Sequence, residues 1–386
     1  MIKKILSVAL VGFSGLALAG PAENDATFKN GLALIEQGQP QLAVPILSKL
    51  YDETNAPRVK LELARAYFAE GNLSEARRIF IEAYEQNPPP GVRAMISNML
   101  DQIEKAEGKF SFGVSATKAQ NPLKMPTATN FNIGGWDLVA QQDPKKKNLL
   151  GMIYTAGYER NFSDGIDLRV STSLRSMFHS TAADFGYLDV SVGKQLAQFP
   201  AEIRLGEQSF IMQGQNYNMP YFEVANKTQL SSFVSMNPRI QVGYFKSKDY
   251  QGLSGGSYKL SLPVEFAFAP NQIFGLGIRG ERRSVLFSEQ SYWSAGPYVE
   301  ANVGFDNFSI NASTSIKKTR YDALDPFWGE VRSDWSYYQA VNVNFDALRF
   351  KGLIPSAGVY CDITKSNISY FKTLDCGFLA NLKRAY

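Results

Sequence analysis

Two spacings of apolar residues divide the chain. Between residues 20 and 108 they recur every three to four positions, the spacing that gives a helix one buried face. From Lys109 the spacing falls to two, as a strand requires when its two faces meet different surroundings. The clearest case is IDLRVSTSLRSMF, residues 166–178. Ile166, Leu168, Val170, Thr172, Leu174 and Phe178 fall on one face, with Asp167, Arg169, Ser171, Ser173, Arg175 and Met177 on the other. A segment of this length suits a membrane-spanning strand, which needs about 9–11 residues in the bilayer. The pattern predicts a helical domain over 20–108 and a transmembrane antiparallel β-barrel over 109–386.

The breaks between apolar segments set the strand count. FSDG (162–165), QFPA (198–201), MNPR (236–239), APNQ (269–272), FDN (305–307) and DALRFKG (346–352) are short connections. TAAD, GQNYNM, DYQGLSGG, SEQSY, YDALDPFWGEVR and SNISY fall between them, and several are longer. Outer-membrane barrels alternate short periplasmic turns with longer external loops in this way. The breaks delimit thirteen strands from Leu149 onward, and Lys109–Ala119 adds a fourteenth. The stretch NFNIGGWDLVAQQDPKKKN (130–148) is read as a long first external loop, since an even count returns both termini to one side. The chain closes with Phe378, Ala380, Leu382, Arg384 and Tyr386 on one face, from which Arg384 departs in character. An aromatic end of this kind fits the signal read by the barrel-assembly machinery, an expected partner during biogenesis.

The helical part carries a repeat. Over residues 57–88, Leu63-Ala64, Tyr67, Ala76, Phe80, Ala83 and Pro88 hold the key positions of the tetratricopeptide pattern. A weaker copy lies 33 residues upstream, with Gly31, Leu34, Ala43, Leu47 and Leu50 at the equivalent places. Val92–Lys105 supplies the capping helix that such a stack needs. The first helix of each repeat lines the concave face, which gives Phe28, Leu32, Ile35, Arg58, Leu61, Arg65 and Phe68 as groove candidates for a peptide. A second reading has these side chains pack repeat on repeat, and for Leu32 and Leu61 both stand.

The start, MIKKILSVALVGFSGLALAG, puts two lysines before an apolar run that ends in Ala17-Leu18-Ala19. This predicts an export signal over residues 1–19, cut after Ala19, with no cysteine there for lipid attachment. The 19 Tyr and 26 Phe favour the barrel over a soluble secreted protein. Without Lys3 and Lys4 the basic and acidic residues nearly balance, so charge offers no argument for a nucleic-acid partner. One histidine and two cysteines cannot build a zinc site of the usual spacing, and no metal or cofactor is expected. Cys361 and Cys376 lie on the two strands of the last hairpin, either paired or as two thiols in the wall.

No phosphate loop, paired-carboxylate motif or nucleophile constellation stands out, and an enzyme is not expected. A Ser/His hydrolase would have to use His179, which alternation points into the lumen beside Ser180 with the wrong spacing for an outer-membrane phospholipase. Alternation also places Arg169, Arg175, Arg279, Glu281 and Arg283 in the lumen. There they either set the field of a pore or form a packed polar network.

A short exported repeat domain joined without a linker to fourteen strands resembles the surface lipoprotein assembly modulator (Slam) family, the translocons of the type XI secretion system. FSFGVSATKAQNP is similar to the family's first strand and the opening of its first loop, and FNIGGW to that loop's Ile-Gly-Gly element. DPFWGEVRSDW (325–335) resembles its aromatic-Gly-x-x-Arg-x-Asp loop signature, carried here by Trp328, Gly329, Arg332 and Asp334. The resemblance implies an outer-membrane protein of a Gram-negative bacterium with its helical domain in the periplasm. Its partner would be an exported client, a surface lipoprotein or a secreted haem- or iron-capturing protein. External loops with Lys145, Lys146, Lys147, Trp328 and Tyr337 would nucleate folding of that client, or the lysines would contact lipopolysaccharide. The head is short for the family. A passive solute porin and a polysaccharide exporter, which also joins helical repeats to a barrel, remain alternative readings.

Overall fold

The computed structural model describes residues 22–384 apart from 134–135, 140–142, 163–164, 197–198, 213–214, 270, 349 and 351–352. The expected signal segment 1–19 and the terminal Tyr386 lie outside the described residues. The chain divides into two compact units between Glu104 and Lys105.

The first unit is helical: α1 (Ala22–Glu36), α2 (Pro40–Thr54), α3 (Pro57–Glu70), α4 (Leu73–Glu85) and α5 (Pro90–Glu107). Three of these helices begin at proline, whose fixed φ suits the first turn and whose missing N–H would be unpaired there anyway. Gly71 ends α3 at φ 92°, a left-handed position that a side chain would strain, and its N–H donates to the Phe68 carbonyl at 3.1 Å. Asn72 then caps α4, its Oδ1 accepting from the Glu75 N–H at 3.3 Å. Ala64 and Ala76 are wholly buried, which lets the helices approach closely, and Phe80 fills the space beside them. Burying a side chain such as Phe80 contributes about 1.5–3 kcal/mol.

The second unit is β-structure. Its strands are β1 (Lys109–Ala119), β2 (Asn130–Ile133), β3 (Trp136–Val139), β4 (Leu149–Asn161), β5 (Ile166–Met177), β6 (Phe185–Gln195), β7 (Ala201–Met212), β8 (Gln215–Asn226) and β9 (Thr228–Ser231). There follow β10 (Val234–Met236), β11 (Arg239–Ser247), β12 (Gly255–Ala269), β13 (Gln272–Val285), β14 (Tyr292–Gly304), β15 (Ser309–Leu324), β16 (Val331–Asn344), β17 (Leu353–Ser366) and β18 (Thr373–Arg384). Neighbours in sequence pair antiparallel around the wall, and β1 bonds both β4 and β18. Among the described residues this closes a barrel of fourteen strands, the four short strands β2, β3, β9 and β10 lying outside the count.

Several connections differ from the sequence expectation. The 130–148 stretch stays out of the wall, as expected of a loop, but contains the β2–β3 hairpin. GQNYNM is not a loop: β7 and β8 pair as far as Met212 opposite Gln215. The short MNPR turn is instead preceded by the β9–β10 hairpin, which lies on β12 with Val234 opposite Phe266. The reason is edge protection. The β11 partner reaches only Ser261 of β12, so backbone groups of Val264–Phe266 would be left open, and β10 pairs them.

The register carries the two-residue alternation around the wall. Leu174, Val192, Leu205, Ile240, Ile278 and Val299 face outward and exposed, while Asp167, Ser191, Arg204, Gln241 and Asp334 face inward and buried. We call the end where β1 begins the near rim. Exposed Phe110, Phe162, Phe199, Phe268, Phe305 and Phe350 stand there.

Candidate functional site

The inward face is polar and closely bonded. Arg204 is 4% exposed and donates from Nη2 to Asp167 Oδ2 at 2.6 Å, from Nε to Glu202 Oε1 at 3.0 Å and from Nη1 to Ser191 Oγ at 3.1 Å. Arg169 joins the same cluster, 3.1 Å from Asp167 and 3.4 Å from Glu159. Further along this wall Asp189 accepts from the Tyr187 hydroxyl at 3.0 Å, Gln208 at 2.8 Å and the Tyr221 hydroxyl at 3.1 Å. On the other side Arg279 pairs with Glu300 at 2.9 Å and stacks 3.8 Å above the Tyr298 ring. Glu281 accepts from the Tyr292 hydroxyl at 3.0 Å, Arg283 lies 3.9 Å over Phe245, and Arg175 donates to the Ala183 carbonyl at 3.1 Å. Of the sequence-assigned lumen arginines, Arg169, Arg175 and Arg279 are thus bonded within the wall, while Arg283 makes a ring contact.

His179 is an exception. The strand ends at Met177, and His179 turns through φ 71° in an exposed position, so strand alternation does not carry it into the lumen. Toward the near rim the lumen opens into a cavity of about 420 Å³ lined by Glu265, Glu300, Asn302, Asn311, Ser313 and Asn342. A chain of carboxamides continues from it: Asn381 donates to Asn342 at 3.2 Å, and Asn342 to Asn344 at 3.0 Å.

At the far mouth the chain's first loop folds onto the inner side of the rim. The Asn121 N–H donates to the buried Asp375 at 2.7 Å, Lys124 Nζ reaches Asp362 at 2.5 Å, and the Thr127 N–H donates to the Lys372 carbonyl at 2.8 Å. Asp362 and Asp375 sit on the inward face of β17 and β18, so this loop lies on the inner side of the rim. Leu123 packs on Ala119, Leu149, Met177 and Ala183. Phe131 is 8% exposed, with its ring centroid 5.7 Å from Trp328 and 5.6 Å from Tyr370. Three loops far apart in sequence therefore meet in one aromatic cluster.

The loop signature is placed differently from expectation. Asp325 and Glu330 close a tight hairpin, with Gly329 at φ 65°, so the loop is confined to 325–330. Trp328 belongs to it, but Arg332 and Asp334 lie in β16. Arg332 donates to Asp334 at 2.9 Å and stacks 3.6 Å over Phe371. Tyr337 is also a β16 residue and faces outward. Lys145 and Lys146 are exposed on a short turn of helix with Lys147 at its end, capped by Asp143, whose Oδ1 accepts from the Lys145 N–H at 2.9 Å. Cys361 and Cys376 face each other across β17 and β18, with Cα atoms 4.0 Å apart, and form a disulfide.

In the helical unit Ile35 belongs to the core at 5% exposure, while Phe28, Leu61 and Phe68 are half-buried against it. Leu32 is half-buried as well. Arg58 is exposed and lies 5.2 Å over the Phe28 ring, and Arg65 pairs with Glu62 at 2.6 Å. Burial pushes the Glu62 carboxyl above its usual range, against the opposing pull of Arg65 and Arg58. Sequence reasoning missed Glu62, the Asp189 cluster and the Lys124–Asp362 pair. Asp189 was on the lumen face by alternation; a loop lysine carries no comparable signal.

Repeat helices followed by a closed fourteen-stranded antiparallel barrel define the class of architecture. Residues 34–99 match the tetratricopeptide repeat family. No curated protein matches the chain. Among solved structures the chain is similar to the outer membrane channel DcaP of Acinetobacter baumannii, at 8% identity over 72% of this chain and 96% of that one, with a TM-score of 0.40. It is similar to Pseudomonas putida OprB at 6% identity over 74% and 96% of the two chains, TM-score 0.41. A bacterial polysaccharide outer membrane secretin is 11% identical over 72% and 98%, TM-score 0.38. Likeness at this level assigns no cargo.

Proposed function

We propose that the chain is an outer-membrane translocon that delivers an exported client protein, a surface lipoprotein or a secreted haem- or iron-capture protein, to the cell surface or beyond. An apolar outer wall around a polar lumen supports a membrane-spanning path. The observation that carries the reading is the far mouth, held on its inner side by Lys124–Asp362, Asn121–Asp375 and the Phe131–Trp328–Tyr370 cluster. A first loop folded onto the inner side of its own mouth suits a path opened by cargo more than a passive porin. The repeat unit supplies a face, with Arg58 and Arg65 beside Phe28 and Phe68, on which a peptide segment of the client docks. No nucleotide energy is available outside the inner membrane, so folding or binding of the client outside drives its passage. The reading assigns the chain no catalysis.

The test is protease digestion of intact cells, scored on the exported product of a neighbouring gene. Cells producing the full chain expose that product, and Arg58→Glu with Arg65→Glu lowers the exposed fraction several-fold. A product that stays protected while small solutes cross through the barrel replaces this reading with the porin.

A further inference from the structure

The outer wall carries a cluster of cations that the transport reading does not use. Around the barrel most outward positions are apolar, but β15 and β17 present Lys318, Arg320 and Lys365. Lys318 stands opposite Trp335, and Trp335 opposite Lys365, so the three share one cross-strand row. Arg320 lies one outward position above, opposite Ser333 and Trp293. The row immediately below is Ile278, Pro297, Ile316, Tyr337 and Ile363, apolar but for one phenol.

Among the described residues no carboxylate pairs with these cations. The outward carboxylate at this level, Asp322, is held by both Nη atoms of Arg282, at 2.7 and 2.6 Å. Arg320 is exposed. Lys318 Nζ lies 4.9 Å from the Trp335 ring and Lys365 Nζ 5.5 Å from the Tyr337 ring. Such contacts orient an ammonium group without cancelling its charge.

Height locates the row. Ser309, Asn344 and Ser356 lie opposite one another at the near end, and Lys318 is nine residues further along β15. At about 3.3 Å per residue and a tilt near 40°, that is roughly 23 Å along the barrel axis. The apolar band of a membrane barrel is about 25 Å tall, so the row stands where hydrocarbon gives way to lipid headgroups. Elsewhere at the far end, outward cations such as Lys118 on β1 and Lys246 on β11 stand on separate strands.

We propose that Lys318, Arg320 and Lys365 form a site for the phosphate of a phosphorylated lipid in the leaflet around the far rim, with Trp335, Trp293 and Tyr337 packing on its sugar and upper acyl chain. The proposal rests on the barrel spanning a membrane. The site would fix the tilt and rotation of the β13–β17 wall, beside the loops that meet at the far mouth.

The full chain is purified in a zwitterionic detergent, exchanged with a bisphosphorylated acylated glucosamine disaccharide, and the bound lipid counted by native mass spectrometry. Wild type retains this lipid in preference to phosphatidylcholine, retention falls at least three-fold in Lys318→Gln/Arg320→Gln/Lys365→Gln, and Lys118→Gln/Lys246→Gln behaves as wild type. Millimolar inorganic phosphate does not displace the lipid, while raising the salt weakens binding to wild type. Retention that is equal in wild type and the first triple variant overturns the site, as does displacement by free phosphate. Should that variant not fold, a salt-insensitive wild-type complex overturns it instead. Insertion into phosphatidylcholine vesicles is scored separately: failure to insert contradicts the membrane reading, whereas insertion without retention overturns the lipid site alone.

Discussion

The two units place their apolar side chains in opposite ways. Among the described residues the largest fully buried side chains are Phe80, Leu47, Leu50, Ile96, Leu100 and Ile103, all in the helical unit. In the barrel the buried side chains are mostly polar, such as Asp167, Arg204, Gln241, Asp334, Asn344 and Asp375, while Leu205, Ile278 and Val359 lie on the outside. One chain thus answers two solvents. The head hides hydrocarbon from water, and the barrel turns hydrocarbon toward an apolar surrounding and keeps its polar groups bonded within.

Substitution sharpens that contrast. Phe80→Ala removes a wholly buried ring from the helical core, at a cost of about 3–5 kcal/mol. Hydrogen exchange then shows the helices α3 and α4 opening, with barrel amides unchanged. Val299→Arg places a charge on the outward wall at mid-height, opposite Thr314, and costs about 2–4 kcal/mol in a bilayer, while Ser313→Arg on the lumen side costs close to nothing. Urea unfolding from phosphatidylcholine vesicles separates the two. If both substitutions cost the same, the inside-out assignment of the barrel fails.

The smallest effect concerns pH. Glu62 has its carboxyl raised by burial, so the folded head binds more protons than the unfolded chain just above the ordinary carboxylate range. Head stability therefore falls as pH rises from that range through the raised value, and levels off above it. Urea titrations of the head signal between about pH 4 and pH 7 show that slope in wild type, and Glu62→Gln flattens it.

Periodicity made much of this architecture legible. Alternation through residues 166–178 placed Asp167 and Arg169 on the lumen side, and the breaks yielded fourteen strands. What it could not reach depends on register between distant segments. The partner of Arg204 is Asp167, 37 residues away and two strands across. The β9–β10 hairpin looked like the end of a long strand, because Thr228–Met236 alternates too and only the pairing of β9 with β10 reveals the turn. Trp328 read as a loop residue, and it is one, but its partners Phe131 and Tyr370 belong to two other loops. Arg332 and Asp334 read as loop residues because DPFWGEVRSDW resembles the family's loop signature, whereas the Asp325–Glu330 pairing ends the loop early. The cysteines had two readings until Cys361 was found directly opposite Cys376.

The central claim is that the far mouth is closed by the chain's own first loop. Conductance of the full chain in planar bilayers tests it directly, comparing wild type with Lys124→Ala/Phe131→Ala. The account predicts little current through wild type and a several-fold rise in the variant. A wild-type barrel that already conducts as a steady open pore, unchanged by the two substitutions, would contradict it.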